Sequence, residues 1–342
     1  MPAPRPARPT LAAVAREAGV SLGSASRVMH APESVRAATR AAVERAAAKL
    51  GYVADGRARA LASGRSMMVG IVLPTINNPV YAEFTHVLQR RLSAEGYMLA
   101  VQAHEYDAAA ETAQIRALAE RGIDALVLVG TDHDPAVARL LAAARLPHVF
   151  VWSTDEAPET GCVGFSNRAA MREMAEHLIA LGHRRLGIVS GATQGNERAR
   201  ARLAGVTKAI AAAGLPPAAV SLQPFSIAGG RAGLAELIKA NAGLTAILCT
   251  TDLMAAGALA EARERGIAVP HALSITGFDD IDLANATTPC LTTIRAPITE
   301  MGLCAGEAIL RQIAGGAPEP SLTIPTRVIV RESCAPPPQA GG

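Results

Sequence analysis

From Met67 onward the chain alternates short apolar runs with longer amphipathic stretches, and this alternation restricts the fold more than any other feature. The runs Val69–Leu73, Met98–Gln102, Ala125–Val129, Val149–Trp152, Leu186–Ser190, Ala246–Cys249 and Leu273–Thr276 are mostly apolar. That is the pattern of strands covered on both faces. Between them lie segments of helical periodicity at 80–95, 110–121, 134–144, 167–181, 197–213, 227–240 and 252–265. Strand–helix alternation of this kind builds a parallel sheet in an α/β fold. The units are too many for one comfortable sheet. Two similar lobes are therefore expected, with a ligand between them at the carboxyl ends of the strands.

The first 66 residues follow different rules. They hold 11 Lys and Arg against 4 Asp and Glu, a charge of +7, whereas residues 67–342 hold 22 against 26, a charge of −4; together these make the chain's +3. A small basic segment ahead of a mildly acidic body suits a nucleic-acid reader joined to a regulatory or catalytic domain. It also suits a solvated basic surface helix. Other classes are excluded by composition. No apolar run reaches the roughly 18 residues a spanning helix needs, and the basic N-terminus lacks the apolar stretch of a secretory signal. Five scattered cysteines (Cys162, Cys249, Cys290, Cys304, Cys334) without a CxxC spacing argue against a disulfide framework or a zinc site and for a reducing cytoplasm. With ten aromatic residues in the chain, an aromatic platform for stacking bases is not expected.

The basic segment reads as three helices. Thr10 caps Leu11–Ala18, Gly19 supplies a left-handed turn, and Ser21 caps Leu22–Met29. Two helices joined by a short Gly-containing turn form a helix-turn-helix. Val14, Ala15, Val20, Ala25 and Val28 fall where the helices touch, and a third helix, Ala37–Leu50, stops at Gly51. In such a motif the second helix enters the major groove. Its exposed candidates are Leu22, Gly23, Ser26 and Arg27. Arg27 either donates a bidentate pair to a guanine edge or holds a phosphate. Thr10, Ser21, Ser24, Thr39 and Arg40 are placed for phosphates, which set register. The Ala-rich basic stretch from Gly56 to Gly64 is too short to be a stable helix alone and should order only when bound.

The run Thr10-Leu11-x-x-Val14-Ala15-x-x-Ala18-Gly19-Val20-Ser21-x-x-x-Ala25-Ser26-Arg27-Val28 resembles the opening of the lactose-repressor (LacI/GalR) family of bacterial transcription regulators. So does Leu50-Gly51-Tyr52-Val53 followed by Ala58-x-x-Leu61, and the resemblance runs from about residue 9 to 333. It implies a hinge helix at 56–63 that folds on operator DNA, with Leu61 wedged into the minor groove, as apolar wedges that kink a duplex do. Arg57 and Ala58 are further DNA-binding candidates. Arg36 stands where the family has Ser or Thr and is a further DNA contact; Ala54-Asp55 stand where it has Pro-Asn. For the body the resemblance implies a bilobal periplasmic-binding-protein-like fold with two crossovers, at Val163–Asn167 and near Leu291–Pro297.

The resulting domain plan is a disordered arm at 1–8, an all-α helix-turn-helix domain at 9–55, and a hinge helix and linker at 56–66. An effector-binding and dimerisation domain at 67–333 follows, and then a disordered tail at 334–342. The N-lobe takes about 67–163 and 296–326, and the C-lobe about 164–295 and 327–333.

Candidate effector residues sit just after the strands. Arg198 and Arg202 lie four apart at the start of a helix, on one face, with Asn196 ahead of them. By the resemblance, Arg202 clamps the effector, Thr251 faces it, Asp279 accepts hydrogen bonds from its hydroxyls or amines, and Phe225 is an aromatic lid. Phe225 as ordinary core, and Asp279 as a turn residue, are the bland alternatives. Asp252 either caps its helix or touches ligand. Trp152, Tyr81 and Asn78 face the same cleft. Arginine, aspartate, threonine and aromatics suit a sugar, a sugar acid or another small organic acid, and the arginine pair leans toward an acid.

No catalytic residue, metal or cofactor is expected. Gly191–Asn196 is neither GxGxxG nor a Walker loop, and no HExxH or GxSxG occurs. His183 is expected at a helix C-terminus, where a cation is favourable. A periplasmic binding protein is the rival reading, opposed by the basic helices. The sequence thus points to a cytoplasmic regulator, a repressor by preference, bound to the nucleoid when on its operator. It would be a homodimer on a pseudo-palindromic duplex, without membrane contact, and its tail lacks the leucine heptads of a tetramer-forming helix. Inducer and corepressor signs both stay open.

Overall fold

The computed structural model describes residues 9–30, 32–53, 64–240 and 243–338. The chain divides into two compact units, residues 1–67 and 68–342.

In the first unit three helices, α1 (Leu11–Glu17), α2 (Leu22–His30) and α3 (Ala37–Leu50), enclose a small core of Val14, Ala15, Ala25, Val28, Val43 and Ala46. Small residues dominate that core, so the helices approach closely. Thr10 Oγ1 accepts from Ala13 N at 3.2 Å, and Ser21 Oγ accepts from Ser24 N at 3.1 Å, which starts α1 and α2 where their caps predict. Gly19 takes φ +67°, the left-handed turn between them. Lys49 Nζ reaches Glu17 Oε1 at 2.6 Å and ties α3 to α1.

The second unit contains β1 (Met68–Leu73), β2 (Met98–Ala103), β3 (Ala125–Val129), β4 (His148–Val151), β5 (Cys162–Gly164), β6 (Leu186–Ser190), β7 (Ala219–Leu222), β8 (Ala246–Cys249), β9 (Ser274–Asp279), β10 (Thr292–Arg295), β11 (Leu322–Thr323) and β12 (Arg327–Ile329). Its helices are α4 (Pro79–Ser93), α5 (Ala108–Glu120), α6 (Pro135–Ala144), α7 (Asn167–Ala180), α8 (Glu197–Ala212), α9 (Ile227–Ala240), α10 (Asp252–Glu264), α11 (Leu283–Ala286) and α12 (Ile298–Ile313). Two six-stranded sheets result, β11-β5-β4-β3-β1-β2 and β12-β10-β9-β8-β6-β7, parallel except for the β10–β12 pair. These are the two expected lobes. All seven apolar runs are strands and the sheets pack on aliphatic cores, but β2, expected to be covered on both faces, is an edge strand with no buried residue.

The chain passes between lobes at 165–166 and at 296–297, as expected. It passes again between β11 and β12, a third crossing that two crossovers do not include but that the expected C-lobe segment at 327–333 requires. The strands missing from the sequence reading (β5, β7, β10, β11 and β12) are two to four residues long and carry no continuous apolar run.

Two expectations are corrected at the C-terminus. Residues 334–338 are not a loose tail: Ala335 O accepts from Ser274 Oγ at 3.1 Å, and Pro337 lies against Gly182. His183 sits just past the C-terminus of α7 as expected, its backbone N–H donating to Leu178 O at 3.1 Å, but not as a cation. It is buried, with Nε2 donating to Ala335 O and Nδ1 accepting from Thr245 Oγ1, each at 3.0 Å, and burial lowers its pKa.

Candidate functional site

The basic unit presents one face of α2 outward. Leu22, Gly23 and Arg27 are exposed and Ser26 half-buried, while Ala25 and Val28 turn into the core. Arg27 Nε reaches back to Gly23 O at 3.4 Å, a weak bond that leaves its guanidinium fork along the exposed face. Thr10 and Ser21 accept backbone N–H groups, and Ser24 Oγ lies 3.0 Å from Ser21 Oγ, so these hydroxyls are fixed at helix starts. Arg36 is exposed and Thr39 half-buried at the start of α3. Arg40 is flanked by Glu33 at 3.7 Å and Glu44 at 4.0 Å, which weakens it as a phosphate contact. Arg57, Ala58 and Leu61, with the whole hinge stretch 54–63, lie outside the described residues.

In the second unit, nine of the ten expected effector residues line one cleft between the lobes: Asn78, Tyr81, Trp152, Asn196, Arg198, Arg202, Phe225, Thr251 and Asp279. Val80, Tyr106 and Ala199 complete it. Local rules put them there. Asn78, Asn196 and Thr251 are helix caps that follow strands, so their side chains stand at the carboxyl edges of the sheets. Trp152 follows β4 with φ +85°, and its ring is wedged against Tyr81 (centroids 4.7 Å) and Phe84 (5.1 Å).

Arg202 is held on several sides. Its Nε donates to Asn167 Oδ1 at 2.8 Å and its Nη1 to Thr250 O at 2.6 Å. Its plane stacks 3.6 Å over Phe278, and Nη2 stands 4.0 Å from Asp279 Oδ1. Asn167, which the sequence reading did not single out, also donates from Nδ2 to Trp152 O at 3.1 Å and so sets the arginine against the other lobe. Burial pushes the Asp279 carboxyl up to about 6, despite the opposing pull of Arg202 and a hydrogen bond from Asn78.

Arg198 plays a different part. Its Nη1 donates to Val129 O at 3.2 Å and to Glu197 Oε1 at 3.1 Å, and Glu197 Oε1 accepts from Thr131 N at 3.0 Å. Arg200 pairs with Asp132 at 2.7 Å. The first turn of α8 in the C-lobe is therefore latched to the loop after β3 in the N-lobe. The expected arginine pair does not offer two matched charges to a ligand, because Glu197 opposes one of them.

Asp252 is the exception. Its Oδ2 accepts from Ile281 N at 2.9 Å and its Oδ1 from Thr293 Oγ1 at 2.5 Å, fully buried behind the cleft. It neither lines the cleft nor caps α10, whose cap is Thr251. Asp280 turns away from Asp279 to pair with Arg295 and Arg331, both at 2.6 Å. Among the described residues no cluster of His, Cys, Asp and Glu suits a metal ion.

Comparison with known proteins decides the family. Residues 10–55 match bacterial regulatory proteins of the lacI family, and residues 175–334 match a periplasmic binding protein-like domain. An uncharacterized HTH-type transcriptional regulator from the aml 5′ region of Streptomyces limosus is 35% identical over 327 residues, covering 92% of each chain. The chain belongs to the lacI family of transcriptional regulators. Two solved structures share its whole architecture. The Lac repressor dimer bound to operator and the anti-inducer ONPF is 26% identical, with a TM-score of 0.86 over 96% of this chain and 100% of that one. The CelR–cellobiose complex is 29% identical, with a TM-score of 0.71 over 95% of this chain and 100% of that one. This lacI-family chain is a DNA-binding regulator and not an enzyme, with a helix-turn-helix unit ahead of a two-sheet binding domain.

Proposed function

We propose that this regulator is a cytoplasmic homodimeric repressor whose operator affinity is set by a small effector held between the two lobes. The effector would be a sugar, a sugar acid or another small organic acid. The observation that carries the reading is the convergence of nine of the ten expected residues, from both lobes, on one cleft. One buried arginine beside a carboxyl with a raised pKa suits a neutral or singly charged, hydroxyl-bearing ligand. The cleft encloses a cavity of only about 30 Å³, so admitting such a ligand requires lobe or side-chain movement. That movement is what couples a ligand to a second site.

For the DNA end, the support is the exposed Leu22–Arg27 face on a +7 segment. For the homodimer it is two of the four sheet edges, β2 and β7. Met98 and Val101 on β2, with Ile76 beside them, and Val220 and Leu222 on β7 are exposed apolar side chains on edge strands, which a free monomer would have to protect. The operator-bound neighbour is itself a dimer.

The test is duplex selection followed by binding titrations. Selection from random DNA should return a pseudo-palindrome bound with steep salt dependence. Arg27→Ala should cost about 1–3 kcal/mol on that duplex and little on random DNA. Equal losses on both would reduce Arg27 to a phosphate contact. A selected pool without two-fold symmetry would contradict the homodimeric reader.

A further inference from the structure

Aromatic residues are scarce in this chain and unevenly spread. Of ten, Tyr81, Tyr106, Trp152 and Phe225 line the cleft. Tyr106 stands in the loop after β2 in the N-lobe, and Phe225 stands after β7 in the C-lobe. Their rings are stacked, with centroids 5.3 Å apart and planes 26° from parallel, so the lobes meet ring against ring. Tyr106 is 41% exposed, which puts this meeting at the mouth of the cleft.

Both rings are fixed from behind. The Tyr106 ring stands edge-on to His104 on its own loop, with centroids 6.4 Å apart. Glu105 (φ +48°) and Tyr106 (φ +63°) are consecutive left-handed residues with full side chains, an unfavourable backbone of the kind that gathers at ligand clamps. Phe225 lies flat on the backbone of Gly191, where a Cβ would fall 2.0 Å from the ring. The cavity behind the stack is about 30 Å³, too small for a sugar to be present without the rings parting.

Resting on the effector reading above, we propose that Tyr106 is a ligand-contacting and selectivity residue. With Phe225 it forms a two-lobed aromatic gate. The effector, a compact polyhydroxylated compound, enters by parting the rings. It is held with its apolar C–H face against Tyr106 and its hydroxyls toward Arg202 and Asp279.

The gate is testable without ligand, because the single tryptophan reports on it. Trp152 is 1% exposed and touches Tyr81, and both line the same cleft as Tyr106 and Phe225. In the full chain, acrylamide should quench Trp152 at least threefold more strongly in Tyr106→Ala and in Phe225→Ala than in the parent. Tyr106→Phe, which keeps the stack, should change it less. Urea midpoints measured alongside separate gate opening from unfolding. Quenching in both folded Ala variants equal to that of the parent overturns the gate.

Ligand contact is read by thermal shift with D-glucose, D-gluconate and cellobiose as probes. A probe that raises the parent's midpoint should bind Tyr106→Ala at least tenfold more weakly and Tyr106→Phe within about threefold. Equal binding to Tyr106→Ala overturns the selectivity role and leaves the effector reading standing. If no probe shifts the parent, the effector reading loses support, and the quenching result decides the gate alone.

Discussion

The two walls of the cleft are chemically unlike. The N-lobe wall is Asn78, Val80, Tyr81, Tyr106 and Trp152, without a formal charge. The C-lobe wall carries Arg198, Arg202 and Asp279, with Asn196, Thr251 and Phe225. A buried charge binds directionally but must be desolvated and fully partnered. An aromatic face offers area and shape at little electrostatic cost. The difference divides the labour. Under the proposed function, the C-lobe reads the effector's polar groups while the N-lobe closes over it.

The division is broken most severely at Arg202. Arg202→Ala strips a bonded donor from Thr250 O and Asn167 and leaves Asp279 without its cation. Removing one partner of a buried pair costs about 3–5 kcal/mol, which urea unfolding of the second unit should register. A loss below 1 kcal/mol would mean that the C-lobe wall is not held by this network.

Asp279 gives the next effect, with a sign fixed by its pKa. Its folded value is raised from 3.8 to about 6, so the folded state binds the proton more tightly. Its contribution to stability is full below about pH 4 and lost as pH rises through about 6, by up to about 3 kcal/mol. Asp279→Asn cannot titrate. The parent's stability should therefore fall relative to this variant between pH 4 and 6, as read by urea midpoints at each pH. A flat difference would place Asp279 in a wetter site.

The uncharged wall predicts weaker, pH-independent effects. Tyr81→Phe removes a buried phenol hydroxyl but keeps the ring on Trp152, and a change of about 1 kcal/mol or less is expected. At the rim, Arg200→Ala breaks a pair whose partners are both about two-fifths exposed. A cost of about 0.5 kcal/mol or less is expected, erased by salt. A larger cost would show the interlobe latch to be cooperative.

Part of this cleft was legible from local spacing, since Asn78, Tyr81, Trp152 and Asn196 fall at or after the ends of apolar strands and Arg198 and Arg202 share a helix face. The roles of Arg202, Phe225, Thr251 and Asp279 came from the family resemblance. Tyr106 escaped because β2 is an edge strand with a mostly exposed face, and Glu105-Tyr106 contains no Gly to announce a left-handed turn. Asp252 looked like its neighbours. What removes it from the cleft is Thr293, 41 residues away. The latch joins positions 66 and 69 residues apart, a separation over which periodicity carries no information. In the first unit, caps, turn and core were all readable from short-range spacing, since three short helices of small residues leave few alternatives.

The central claim is that occupation of this two-walled cleft changes DNA affinity. The most direct measurement is fluorescence anisotropy of the selected duplex with the full chain, with and without a compound that raises the parent's thermal midpoint. A coupling of about 1–3 kcal/mol predicts a change in duplex affinity of roughly 5- to 150-fold. The change should be absent in a folded Arg202→Ala chain that still binds the duplex. An affinity that ignores the compound, or an Arg202→Ala chain that responds as the parent does, would contradict the account.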